Sequence, residues 1–265
     1  MRPNAVKRLW REGGVAYGGW LTVPSAYGAE IMAHAGFDYV CVDMQHGTIG
    51  YQVAVEMLTA VSTTEATPFV RVPWNEPGII GRMLDAGAMG VIIPMVNSAD
   101  QARAAVAACR YPPAGARSYG PGRVTLYAGD GYFEHANAEV ACIPMVETAE
   151  ALANLDAILD VPGIDAVYFG PSDMSVSLGL APSMWHDGGV WEDARRAVQA
   201  ACERRGIVAG IHASAALAPR HVAAGYRMVT VSNDAALLAV GAAADLANVR
   251  PGAASTAPSG RSSTV

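Results

Sequence analysis

From residue 15 onward, apolar and polar positions repeat in a two-part pattern. Short, nearly continuous apolar runs alternate with longer segments whose apolar residues recur every three to four positions. The short runs predict strands over 15–24, YVCVDMQ from Tyr39, PFVRVP from Pro68, GVIIPMV from Gly90, CIPMVE from Cys142, AVYFG from Ala166, IVAGIHA from Ile207 and RMVTVSN from Arg227. The longer segments predict helices, several with their own boundary signals. EPGIIGRMLDAG carries Pro77 in its first turn and Gly87 at its end, and Ser98 caps SADQARAAVAACRY. The strands do not alternate polar and apolar residues, as expected when both faces of a sheet are buried. Eight strand–helix units in about 235 residues predict a single (β/α)8 TIM barrel. The runner-up is a doubly wound open sheet, but its usual G-x-G-x-x-G after the first strand is missing from TVPSAYGAE.

The barrel domain is expected to span 1–250. The tail 251–265 is small, polar and aperiodic, which predicts disorder. Residues 112–137 form an unusually long connection after the fourth strand, and such loops are commonly functional. Arg117, Tyr119, Arg123, Tyr127 and Tyr132 could meet the distal end of a substrate there; subunit packing is the alternative.

Composition then narrows the chemistry. Of 18 basic residues only Lys7 is lysine, and it precedes the first predicted strand. That argues against Schiff-base and pyridoxal-phosphate enzymes, which need an active-site amine, and against a Walker phosphate loop. The net charge of −6 and the lack of a basic run argue against nucleic acid as a partner. Cys41, Cys109, Cys142 and Cys202 are widely spaced without C-x-x-C, which fits reduced thiols in a cytoplasmic protein. No signal peptide or membrane span is expected.

A barrel of this type carries its active site at the C-terminal ends of its strands. Polar residues collect there: Asp43 and His46 after strand 2, Arg71 in strand 3, Glu147 after strand 5, Asp173 after strand 6 and His212 at the end of strand 7. Asp43 can orient His46 as a base, although a structural histidine would look the same. Arg71, amid FV and VPW, requires an anionic partner from substrate or protein. Glu147 and Asp173 can serve as helix-terminal residues, or together hold a hard cation such as Mg²⁺. His212 reads as structural or peripheral, and Trp20 as packing.

VDMQHG, FVRVPW, PMVET and especially VPGIDAVYFGPSDMSVSLG resemble the HpcH/HpaI aldolase family, in order, from about residue 15 to 250. The resemblance implies a metal-dependent class II pyruvate aldolase that cleaves a 4-hydroxy-2-oxo acid to pyruvate and an aldehyde through a pyruvate enolate. It implies that Glu147 and Asp173 hold a divalent cation, Mg²⁺ or Mn²⁺, with Co²⁺ a further candidate. Arg71 would contact the keto oxygen, His46 paired with Asp43 would be the acid/base, and the backbone at Gly170, Pro171 and Ser172 would hold the carboxylate. It also implies a homohexamer, often with the last helix exchanged between subunits. Two positions depart from the common pattern: Met145 replaces a glutamine and Gln45 a glutamate. They put the acceptor aldehyde in doubt. Oxaloacetate decarboxylation or a biosynthetic condensation could use the same enolate, and a non-catalytic barrel is the remaining alternative.

Overall fold

In the computed structural model, which describes residues 1–250, the apolar runs become eight parallel strands. In chain order the elements are α1 (Ala5–Arg11), β1 (Ala16–Leu21), α2 (Ala26–His34), β2 (Tyr39–Asp43), α3 (Tyr51–Val61), β3 (Thr67–Arg71), α4 (Pro77–Asp85), β4 (Gly90–Ile93), α5 (Ala99–Cys109), α6 (Arg123–Ala128), α7 (Tyr132–Glu139), β5 (Ala141–Val146), α8 (Ala149–Ala153), α9 (Leu155–Leu159), β6 (Ala166–Phe169), α10 (Pro171–Ser177), α11 (Gly189–Arg205), β7 (Val208–His212), α12 (Ala218–Ala223), β8 (Met228–Asn233) and α13 (Asp234–Val249). Each strand pairs with its sequence neighbour, and β8 closes on β1, so the sheet is a closed barrel. The predicted (β/α)8 fold is the observed one. The expected disordered tail, 251–265, lies outside the described residues.

Two apolar layers follow from the parallel arrangement. Outward strand residues such as Val42, Val70, Val91 and Val167 meet the helices in the larger core. Inward residues such as Trp20, Tyr39, Phe69, Ile143, Met145 and Tyr168 fill the barrel itself. Register places Asp43 beside Arg71 and Met145 beside Tyr168, bringing polar groups of adjacent strands to one end of that filled interior.

The other end is closed by α1, which the apolar pattern did not reveal. Its Val6 is fully buried against the interior layer. Lys7 Nζ reaches Asp165 at 2.6 Å, and Arg110 holds the other oxygen of that carboxylate at 2.7 Å. The one lysine thus anchors the closed end, far from the chemistry.

The long connection 112–137 folds into α6 and α7 and lies toward this same closed end. Arg123 donates to the Ala86 carbonyl and to Ser62 Oγ, both just ahead of strand N-termini. Arg117 is buried, donating to Asp85 and to the Tyr132 hydroxyl. Of the two readings of this loop, a substrate contact in the chain's own barrel mouth is not what the structure shows. These arginines bond backbone and side chains elsewhere.

Candidate active site

The C-terminal ends of the strands surround a cavity of about 430 Å³. His46, Arg71, Gly170, Pro171, Ser172 and Asp173 line it, so six of the eight residues singled out by sequence come together. Glu147 and Asp43 stand immediately behind them, almost fully buried.

Arg71 is the best-defined group. Its Nε donates to Asp43 Oδ1 at 2.8 Å and its Nη2 to Asp43 Oδ2 at 2.5 Å. Such a two-point contact fixes the plane of a guanidinium. Nη1 has no protein acceptor among the described residues, and it belongs to a side chain that lines the cavity. Burial works against both charges. The pairing outweighs it, holding the Asp43 carboxyl below its ordinary value and the Arg71 guanidinium above its own. Trp20 completes the brace: its indole N–H donates to Asp43 Oδ2 at 3.1 Å, and Arg71 lies 5.0 Å over its ring. The packing role expected for Trp20 is therefore incomplete, because it also orients Asp43.

The Asp43–His46 pair differs from expectation. Asp43 accepts from the backbone N–H of Gln45 and, at 3.4 Å, of His46, and no contact with the imidazole ring is formed. The physical reason is competition: Arg71 and Trp20 already occupy both carboxylate oxygens. His46 is exposed at the cavity mouth, with its ring free to meet a ligand.

Glu147 is 1% exposed and follows β5 directly. Thr148, not Glu147, caps the next helix, so Glu147 sits one residue ahead of that helix without a capping bond to it. Burial first, and then the nearby Asp173 charge, push the Glu147 carboxyl up to about 7. Its Oε1 accepts from the Met95 N–H at 2.7 Å. Met95 has a left-handed φ of 55°, an uncommon conformation for methionine that points this donor at the carboxylate. No sequence signal marked Met95. Gly170 is needed for a different reason: a Cβ there would press into Glu147 Oε2. Asp173 lies in the first turn of α10, within reach of the same space.

His212, set aside by sequence reading, lines the cavity. It meets the Trp20 ring edge-on at 5.0 Å, and its Nδ1 pairs with the Tyr168 hydroxyl at 3.3 Å. Burial and the Arg71 charge lower it to about 4, so it is a neutral imidazole. Its strand-end position was the signal available in the sequence.

Known proteins match this chain over most of its length. The profile of the HpcH/HpaI aldolase/citrate lyase family matches residues 17–240. The chain belongs to this family. Among HpcH/HpaI relatives, the hydroxypyruvate/pyruvate aldolase of Rhizorhabdus wittichii is 40% identical over 93% of this chain and 99% of that protein. The 4-hydroxy-2-oxo-heptane-1,7-dioate aldolase of Salmonella dublin is 39% identical over 91% of this chain and 92% of its own length. A solved HpcH/HpaI family structure from Burkholderia cenocepacia J2315 superposes with a TM-score of 0.87 at 35% identity, covering 93% of this chain and 99% of that one. As an HpcH/HpaI aldolase over nearly its whole length, the chain is a carbon–carbon lyase. Within that frame, Met145 contributes a thioether to the cavity wall. Gln45 leaves its side-chain oxygen buried without a partner among the described residues.

Proposed function

We propose that the chain reversibly cleaves a 4-hydroxy-2-oxo acid into a pyruvate-type 2-oxo acid and an aldehyde, with a divalent cation as cofactor. The observation that carries this reading is the pairing of Arg71 with Asp43, which leaves the Nη1 end of the guanidinium for the cavity beside two carboxylates.

Glu147 and Asp173 fit a hard cation. They are close enough for the charge of Asp173 to raise Glu147, and a cation relieves that repulsion. Among the described residues no group of three or more His, Cys, Asp and Glu forms. Two carboxylates completed by substrate and water oxygens suit Mg²⁺ or Mn²⁺. Once bound, the cation supplies Lewis-acid polarisation of the substrate carbonyl.

The protein's own groups do the rest. The backbone at Gly170, Pro171 and Ser172 receives the substrate carboxylate. Arg71 Nη1 donates to the C2 oxygen as negative charge develops there, the kind of fixed donor that stabilises an enolate. His46 accepts the C4-hydroxyl proton as the C3–C4 bond breaks. The bonding pair moves into the enolate, the aldehyde departs, and the proton returns to C3. Neither an amine nor a second lysine is required.

The test is exchange of the pyruvate methyl protons with deuterium, followed by NMR. Exchange is expected with Mg²⁺, Mn²⁺ or Co²⁺ present, and its loss in excess EDTA. Full exchange in metal-free protein would remove the cation from the reading. No exchange under any condition would leave a non-catalytic barrel.

The same reading includes assembly into an oligomer with α13 exchanged between subunits. Leu237, Leu238, Val240, Leu246 and Val249 of that helix are exposed, while an apolar groove between α12 and the β8–β1 seam is uncovered.

A further inference from the structure

We infer that Asn97 is a positioning residue: it braces the turn between β4 and α5 so that Met95 keeps one oxygen of Glu147 occupied, and the cation site thereby disfavours Ca²⁺. This rests on the proposed binding of a divalent cation by Glu147 and Asp173.

The turn carries Met95 with its left-handed φ of 55°. A methionine stays in that region only where its surroundings over-determine the backbone. Asn97, two residues on, supplies those surroundings. Its backbone N–H donates to Gln101 Oε1 at 2.6 Å, which ties the turn to α5. Its carbonyl accepts from Asn154 Nδ2 at 2.8 Å, and its Oδ1 accepts from the Thr148 hydroxyl at 2.5 Å. Thr148 directly follows Glu147 and caps α8, and Asn154 closes that helix. The turn is thus fastened to the segment that carries Glu147. Between these two fastened pieces the Met95 N–H donates to Glu147 Oε1 at 2.7 Å. The other oxygen, Oε2, lies against Gly170, on the side of α10 and Asp173. It has no hydrogen-bond partner among the described residues.

A carboxylate with one oxygen engaged offers a cation one ligand rather than two. Mg²⁺ is satisfied by about six oxygens, several of them from water, and Mn²⁺ suits the same octahedral set. Ca²⁺ takes about six to eight and often draws both oxygens of a carboxylate. To serve Ca²⁺ in that way, Glu147 has to give up the Met95 N–H. The brace at Asn97 keeps that donor in place, so it sets the ligand count.

The experiment follows Mn²⁺ binding to the full chain by electron paramagnetic resonance, and its displacement by Ca²⁺, with no substrate present. The unsubstituted protein is expected to bind Mn²⁺ about tenfold or more tightly than Ca²⁺, the size of one hydrogen bond to a charged group. Asn97→Ala and Thr148→Val should each cut that ratio about fivefold, as loss of a restraint worth about one neutral hydrogen bond. Asn97→Asp and Thr148→Ser, which keep the accepting oxygen and the hydroxyl, should hold it. Glycine adopts a positive φ without strain and makes the brace unnecessary. Asn97→Ala combined with Met95→Gly should therefore return the ratio to its original value. A merely structural Asn97 would lower the melting temperature and leave the ratio unmoved in every variant, and that result overturns the inference. So does a double variant no more selective than Asn97→Ala alone. If Asn97→Ala does not fold, Thr148→Val against Thr148→Ser decides by the same ratio. Failure of the cation reading has a separate signature: the unsubstituted protein would bind no Mn²⁺ at all.

Discussion

Arg71 is 6% exposed, and its charge is tolerated at that depth because Asp43, fully buried beside it, takes two of its donors. The pair is therefore both a structural and a chemical unit. Removing one partner of such a pair typically costs about 3–5 kcal/mol of stability, because the other charge is left alone. Arg71→Ala consequently confounds folding with function, and Arg71→Lys is the better probe. A lysine keeps a positive charge for Asp43 but cannot hold both carboxylate oxygens and still present a donor to the cavity. Expected is a fall in kcat/KM of about a hundredfold or more, about 3 kcal/mol in the transition state, with an unchanged circular dichroism spectrum. A near-normal rate would remove Arg71 from the mechanism. At this scale the sequence was informative about which residues meet and less so about how they pair. Strand-end position was enough to find Arg71, Glu147 and Asp173. It could not show that Arg71 outcompetes His46 for Asp43, because that depends on the register Asp43↔Arg71 between adjacent strands.

Strands and long helices were legible as elements because burial on both faces leaves a continuous apolar run, and an amphipathic helix leaves its own period. Short elements held by polar contacts were not. The helix α1 is fastened by Lys7–Asp165 and by Asn4 donating to the Met89 carbonyl, and α6 by its first residue, Arg123. None of these contacts has a sequence period. Likewise the segment after Thr148 forms two short helices, α8 and α9, with Asn154 closing the first and opening the second. The loop 112–137 illustrates the consequence. Its arginines suggested anion recognition, yet in this chain they tie α6 and α7 to the ends of α3 and α4. Arg123→Ala is thus expected to lower stability by about 1–2 kcal/mol through two lost hydrogen bonds, seen as a melting-temperature drop of about 2–4 °C. An unchanged melting temperature would show that Arg123 does not hold the loop.

At the scale of the whole molecule, the outer ring of the barrel is incomplete. Each strand of such a barrel is normally covered by the helix that follows it. The helix α13 follows β8 but does not cover it. Asp234, its first residue, accepts from the Thr22 N–H and hydroxyl and from the Val23 N–H, which pins the helix start to the end of β1. Beyond that point no residue of α13 is buried. Tyr17, Ala218, Val222 and Val231 meanwhile line a groove at the seam that the helix leaves open. On the proposed reading, a helix with five large exposed aliphatic residues, next to an apolar groove it does not fill, pairs with another copy and so covers both surfaces. The closed-barrel pattern was readable from sequence, but this departure was not, since α13 has the same apolar period whichever chain it covers. Leu238, 65% exposed, is a direct probe. Leu238→Glu should shift the mass measured by light scattering toward the monomer at micromolar concentration. It should also make the melting temperature of the remaining oligomer fall on dilution, as mass action requires. If the substituted protein keeps the mass of the original, α13 is not the contact that joins the copies, and the groove at the β8–β1 seam is filled by something else.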